Sequence, residues 1–299
     1  MAGHMQQWER TIYELIRRAS TDMPPDVEGA LVDAAASEAD GSNAKHSLEV
    51  MLDNIRIARD KQRPLCQDTG TLLFYVEVPF GFDERSFREA AEAAIVRATA
   101  DGLLRQNAVD PVSGKNTGNN LGPGSPALHI RQAERDDVGV KLILKGGGCE
   151  NVGRQYSLPD TELDADRDLE GVRKCLLDAT FRAQGRGCAP GVLGVCIGGD
   201  RASGYAESKR QLLRHFGERS PQPELAALEE RVLSEANELD IGPMGFGGKT
   251  TLLDVFIGAL CRVPASYFVT ISYMCWSYRR HGLTATPEGE IAGWEFGKK

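Results

Sequence analysis

The 299-residue sequence contains no apolar run approaching the ~20 residues that cross a bilayer, so no membrane span is expected. It has no Cys-x-x-Cys pair, which removes zinc ribbons and thioredoxin-type motifs. No Gly-x-Gly-x-x-Gly fingerprint, internal repeat or low-complexity tract occurs. The opening "MAGHMQQWER" lacks the apolar stretch of a secretory signal, and residues 1–5 read as a remnant of cloning. Positive charge is also short: 35 Lys and Arg against 43 Asp and Glu give a net charge of −8. That balance argues against a nucleic acid held through its phosphates. A small acidic substrate stays open, because a local arginine cluster can sit inside an acidic protein.

Seven cysteines are present, at 66, 149, 175, 188, 196, 261 and 275. Their odd number and wide spread in a chain of this size are wrong for a disulfide framework and fit free thiols in the cytoplasm. Taken singly, each reads as a small buried hydrophobe.

With 41% hydrophobic and 26% charged residues the chain is ordinary globular material. Apolar periodicity predicts helices over 8–18, 47–60, 84–104, 168–184, 202–216 and 223–239, the last opening on the proline of "RSPQP". Short β-rich runs predict strands at 71–78, in "ALHIRQ" and "VGVKLILK", over 191–199, and in "TTLLDVFIGAL" and "SYFVTISYMCWSY". The irregular alternation implies a mixed α/β (α+β) fold. Residues 6–299 are expected to form a single domain, with a helical subregion at about 6–60 and an α/β body at about 61–299.

Glycine gathers where strands end, in "KGGGCEN", "APGVLGVCIGGD" and "GPMGFGGKT". Such stretches let a backbone approach a ligand closely, and they also make ordinary turns. "PMGFGGKT" is a near miss for a P-loop: Pro243 stands where the first glycine is required, and the segment precedes a strand rather than a helix. A nucleotide site is therefore rejected. "CQDTGT", residues 66–71, sets a thiol, an amide, a carboxylate and a hydroxyl in one glycine turn. Cys188 in "GCAPG" and Cys275 in "YMCWSYRR" also sit in loops or at strand ends. Their spacing does not specify a metal; it permits three thiolates from three loops to meet, as iron–sulfur sites allow.

In order along the chain, "NIRIARDKQRPLCQDTGT", "LRQNAVDP", "KGGGCEN", "CAPGVLGVCIGG", "ESKRQLLR", "GPMGFGGKTTLLDV" and "CWSYRR" resemble the iron–sulfur hydro-lyases: the N-terminal domain of class I fumarase and the α subunit of L(+)-tartrate dehydratase. The resemblance covers about residues 45–280. It implies glycine-rich loops around a 4Fe-4S cluster held by Cys66, Cys188 and Cys275, with one open iron acting as a Lewis acid. It implies that Asp68 binds substrate and handles the leaving-group proton, and that Gln67 orients substrate or cluster. Arg105 would clamp a substrate carboxylate, its alternative being an ordinary helix-end arginine. Gly146, Gly147 and Gly148 would wall the carboxylate site; Lys145 beside them is either a site residue or a solvated lysine. Cysteines 149, 175, 196 and 261 keep the buried-thiol reading.

Two departures matter. Val263, in "RVPAS", stands where the family pattern leads one to expect histidine. The base that takes the carbon-bound proton belongs to the family's β domain, so a separate β subunit is expected to complete the site, in an α2β2 assembly. The expected reaction is reversible dehydration of a 2-hydroxy dicarboxylic acid of malate or tartrate type. A non-catalytic iron–sulfur sensor or regulatory subunit is the alternative.

Overall fold

The computed structural model describes residues 2–296 of the chain. They form a mixed α/β fold with two mixed sheets. The chain divides into two compact units: Met1–Pro25 with Asp53–Gly147 and Ser277–Lys299, and Asp26–Leu52 with Gly148–Trp276.

In the first unit a five-stranded sheet has the order β2-β1-β3-β8-β9. Its strands are β1 (Thr71–Val78), β2 (Ala127–Gln132), β3 (Val138–Lys145), β8 (Arg280–Ala285) and β9 (Ile291–Trp294). Only β1 and β2 run parallel; β3 is antiparallel to both β1 and β8. Alternate residues Leu72, Phe74, Val76 and Val78 of β1 share one core with Val138, Val140, Leu142 and Leu144 of β3. Against this face lie α1 (Ala2–Thr21) and α4 (Glu84–Ala100). Helix α4 presents Phe87, Ala90, Ala91, Ala94, Ile95 and Ala98, the i, i+3, i+4 stripe of an amphipathic helix. Its alanines let the helix approach closely, while fully buried Phe87 and Ile95 each contribute about 1.5–3 kcal/mol. Asp83 caps its start through the N–H of Ser86.

Helix α4 ends four residues earlier than periodicity predicts. Gly102 at φ +75° reverses the backbone, and the Leu103 N–H closes onto the Ala98 carbonyl at 2.9 Å, a Schellman-type stop. Helix α1 begins at Ala2, so residues 2–5 of the stretch read as a cloning remnant lie in its first turn, and residue 1 lies outside the described residues.

The second unit holds a four-stranded sheet in the order β4-β7-β5-β6, from β4 (Arg154–Ser157), β5 (Gly191–Gly198), β6 (Leu252–Leu260) and β7 (Phe268–Met274). One face carries Leu193, Val195, Val255, Ile257, Val269 and Ile271 under α6 (Leu169–Ala183) and α8 (Pro223–Asn237). The other face sets small and polar residues, Gly194, Thr270 and Ser272, beside buried Phe256 and Met274. There α7 (Arg201–Gln211) packs so tightly that a Cβ on Gly194 would stand 2.2 Å from the Ser208 carbonyl oxygen. Ser208 and Ser272 are hydrogen-bonded at 2.8 Å on this face. Some of the glycine in "APGVLGVCIGGD" therefore serves helix–sheet contact rather than ligand approach. Helix α7 stops five residues short of its predicted end. Beyond it the Phe216 and Gly217 N–H groups are taken by the carboxylates of Asp26 and Asp254.

Three helices occupy the region read as helical, α1, α2 (Pro25–Ser37) and α3 (Asn43–Lys61). Helix α2, β4, the one-turn α5 (Gly147–Asn151), β8 and β9 are elements that periodicity did not predict. Among the described residues no helix is long and apolar enough to cross a membrane.

Two glycines separate the packing effect from the backbone effect. Gly194→Ala is expected to lower the urea midpoint, with a loss of about 1–3 kcal/mol or more from overpacking. Gly29→Ala, inside α2 with no atom within 4 Å of the added Cβ, is expected to gain about 0.5–1 kcal/mol.

Candidate active site

The ladder β1–β3–β8 brings three separated motifs to one end of the first sheet. Thr71 pairs with Lys145, and Ile143 pairs with Arg280. The turn entering β1, the loop leaving β3 and the segment entering β8 must therefore lie side by side. Gly70 makes the closest contact: at φ +76°, a Cβ there would stand 2.2 Å from the Lys145 carbonyl oxygen. Only glycine satisfies both the left-handed backbone and that approach.

Asp68 sits in this corner, half-buried. A Cβ on Gly146 would be 2.9 Å from Asp68 Oδ2, so the carboxylate lies directly over bare glycine backbone. Asn107 Nδ2 donates to Asp68 Oδ1 at 3.1 Å. Arg279 is buried, and its Nη2 donates to the Asp68 carbonyl at 2.7 Å. Arg105 joins the corner through its own N–H, given to Thr69 Oγ1 at 2.8 Å, and its exposed guanidinium reaches Gln67 Oε1 at 3.5 Å. It lies in the loop five residues past α4, so the helix-end reading of Arg105 falls away. Lys145 is 1% exposed, which rules out the solvated-lysine reading.

Cys66, Gln67, Asp68, Arg105, Gly146 and Gly147 thus belong to the first unit, with Cys66 half-buried in the turn. Sequence reasoning missed Asn107 and Arg279, although both lie inside quoted motifs. An amide and a second arginine within motif segments were the available signal.

Gly148, Cys188 and Cys275 belong to the second unit, where strand pairing does similar work. Val192 of β5 pairs with Met274 of β7, so Cys275 and the loop before β5 share one sheet end. The Trp276 N–H donates to the Cys188 carbonyl at 3.3 Å, which ends β7 at Met274 rather than at Tyr278 as expected. Cys188 is left-handed at φ +56°. "GPMGFGGKT" reaches the same end, the Met244 N–H donating to the Ala189 carbonyl at 2.8 Å. Beneath this loop lies the buried ring of Tyr273, which a Cβ on Gly187 or Gly191 would strike. Burial, followed by the neighbouring thiols of Cys275, Cys149 and Cys188, holds the Tyr273 hydroxyl well above the usual phenol range.

Cys149, Cys175 and Cys196 are buried as expected, but Cys261 is exposed, just past the end of β6. Val263 is 65% exposed in the β6–β7 connection. Among the described residues no group of three His, Cys, Asp or Glu forms a ready-made set of metal ligands. The donor chemistry nevertheless suits an iron–sulfur group. Cys66 and Cys188 are half-buried in turns and Cys275, though buried, follows a strand end, whereas Cys175 and Cys196 are sealed within a helix and a strand. A surface hollow lined by Asp40, Ser42, Asn43 and Lys45 contains none of the predicted site residues.

The model of the fumarate hydratase (Fumerase) family matches residues 9–284. The chain belongs to that family. A Geobacillus stearothermophilus relative named as a class I fumarate hydratase is 47% identical over 295 residues, 97% of this chain. This chain spans only 57% of that relative's length. A Methanocaldococcus jannaschii relative named as an L(+)-tartrate dehydratase subunit alpha is 34% identical over 274 residues, 90% of this chain and 94% of its own length. The Escherichia coli K12 L(+)-tartrate dehydratase subunit alpha is 34% identical over 270 residues, 88% and 86% of the two chains.

Burial pushes Cys175 and Cys196 up to about 12, so at pH 8 roughly one molecule in ten thousand carries the thiolate. Alkylation of the folded, cluster-free protein at pH 8 should label Cys261 first. Cys175 and Cys196 should react only after unfolding, as peptide mapping by mass spectrometry would register.

Proposed function

We propose that this chain is the cluster-bearing part of a hydro-lyase that reversibly dehydrates a 2-hydroxy dicarboxylic acid of malate or tartrate type. The observation that carries this reading is the corner where Asp68, Arg105, Asn107 and the bare backbone of Gly146 meet, two residues from Cys66. An acid–base group beside an exposed arginine is what a hydroxy acid needs: one partner for the leaving hydroxyl and one for a carboxylate. A pure iron–sulfur sensor has no use for that pairing.

Cys66, Cys188 and Cys275 would hold a 4Fe-4S cluster, leaving one iron without a protein ligand. When bound, that iron supplies a Lewis acid that makes hydroxide a viable leaving group at neutral pH. Asp68 delivers a proton to the departing hydroxyl and takes it back in the hydration direction. Arg105 grips a substrate carboxylate through its fork of N–H donors, which a lysine would hold less firmly. Gln67, within reach of that guanidinium, orients arginine and substrate together. The backbone of Gly146, Gly147 and Gly148 walls the carboxylate site.

The family resemblance puts the general base for the opposite face of the substrate in a β partner. Relatives that carry the subunit-alpha name, and the longer relative of which this chain covers 57%, support a β partner that supplies it. An α2β2 assembly in the cytoplasm follows on this reading. Val263, in place of an expected histidine, would distinguish its substrate from those of other members.

The decisive experiment is anaerobic reconstitution with and without the β partner, followed by iron and sulfide analysis and assays of water loss from malate and tartrate. About four irons per chain are expected, with turnover only when the partner is added. Cys66→Ser, Cys188→Ser and Cys275→Ser should each lose most of the iron. Cluster incorporation at the wild-type level in all three would overturn the ligand assignment.

A further inference from the structure

If Asp68 handles the leaving-group proton, the direction of its carboxylate decides whether it can. The contacts at its two oxygens bear on that direction. Oδ2 lies over Gly146, where any Cβ would stand 2.9 Å away, and Oδ1 accepts from Asn107 Nδ2 at 3.1 Å. Asn107 is in a loop outside any helix or strand, where an amide would ordinarily sample several rotamers.

Asn120 removes that freedom. It is 1% exposed and left-handed at φ +62°, a conformation asparagine tolerates. Its Oδ1 accepts the Asn107 N–H at 2.7 Å and the Ala108 N–H at 3.1 Å. Its Nδ2 donates to the Arg105 carbonyl at 2.7 Å and to Thr99 Oγ1 at 2.9 Å. Both lone pairs and both N–H groups of the amide are thereby used. Thr99 in turn donates to the Ile95 carbonyl inside α4. The loop carrying Arg105 and Asn107 is thus fastened by one buried side chain to a rigid helix.

We propose that Asn107 is a positioning residue for Asp68, and that Asn120 holds Asn107 and Arg105 at a fixed separation. The proton-handling carboxylate and the carboxylate-gripping guanidinium then keep one spacing between the two substrate groups they serve. This proposal rests on the hydro-lyase reading of the corner.

The test compares wild type, Asp68→Asn, Asn107→Ala, Asn107→Asp and Asn120→Asp, each reconstituted with the β partner. Asn107→Ala should lower kcat roughly 10- to 100-fold with KM changed less than about threefold, the signature of misplacement rather than lost binding. Asn107→Asp keeps the shape but removes the donor and sets a second carboxylate against Asp68. Its loss should equal or exceed that of Asn107→Ala. Asn120→Asp keeps the acceptor for the Asn107 N–H and loses the donor to the Arg105 carbonyl, so it should raise KM with a smaller loss of kcat. Iron content and thermal midpoint of both Asn107 variants should match wild type. Wild-type kcat in Asn107→Ala, a milder effect from Asp than from Ala, or loss of iron would each overturn the proposal.

A crystal structure of Asn107→Ala tests the same claim without turnover. The Asp68 carboxylate should rotate away from Gly146, and an unchanged carboxylate would overturn the positioning role. Full activity in Asp68→Asn would instead sink the reading of the corner, whatever the Asn107 variants do.

Discussion

The contact between Gly70 and the Lys145 carbonyl governs the first unit's candidate site. It exists because β1 begins beside the residue where β3 ends, and the antiparallel register leaves no room for a side chain between them. From that single closeness follow the position of Asp68 over Gly146 and the reach of Thr69 Oγ1 to the Arg105 N–H. The Arg279 guanidinium reaches the Asp68 carbonyl because β8 extends the same ladder by one strand. A slip of one residue in β1 against β3 would turn every side chain to the other face and scatter the corner.

The second unit solves a similar problem with different chemistry. Its central strand β5 is buried along its whole length, as expected of a strand covered on both faces. One face takes branched residues under α6 and α8; the other has Gly194, Thr270 and Ser272 where α7 lies nearly on the backbone, beside buried Phe256 and Met274. The turn bearing Cys188 is shaped by what lies under it. Gly187 and Gly191 close over the Tyr273 ring, and Cys188 between them adopts a left-handed backbone that a non-glycine residue reaches only at a cost of about 1–3 kcal/mol. Such strain persists where the surroundings over-determine the conformation.

Much of this was legible from local pattern. The alternation in "TLLFYVEV" and "VGVKLILK" marks β1 and β3, and the alanine-rich stripe of 84–104 marks α4. Where the reading overshot, a capture of backbone N–H groups had intervened: Leu103 closing onto Ala98, and two aspartates taking the N–H groups after α7. Strand β8 escaped because "RHGLTA" opens on an arginine and a histidine that this sheet buries. Helix α2 did carry a signal, Val27, Leu31, Ala34 and Ala35 behind Pro25, but one too short to stand out.

By itself the sequence determined the family, the mixed fold class and the segments that hold reactive groups, because those depend on residue type, order and short-range spacing. Only the tertiary structure decided that Lys145 is buried, that Arg105 stands clear of the helix, and that Asn107 meets Asp68. Only the fold could make Asn120 the anchor of that loop. The physical reason is the same in each case. A hydrogen bond or a close backbone approach joins residues tens of positions apart, and strand register sets which atoms come within 3 Å, a distance that no local spacing in the chain encodes.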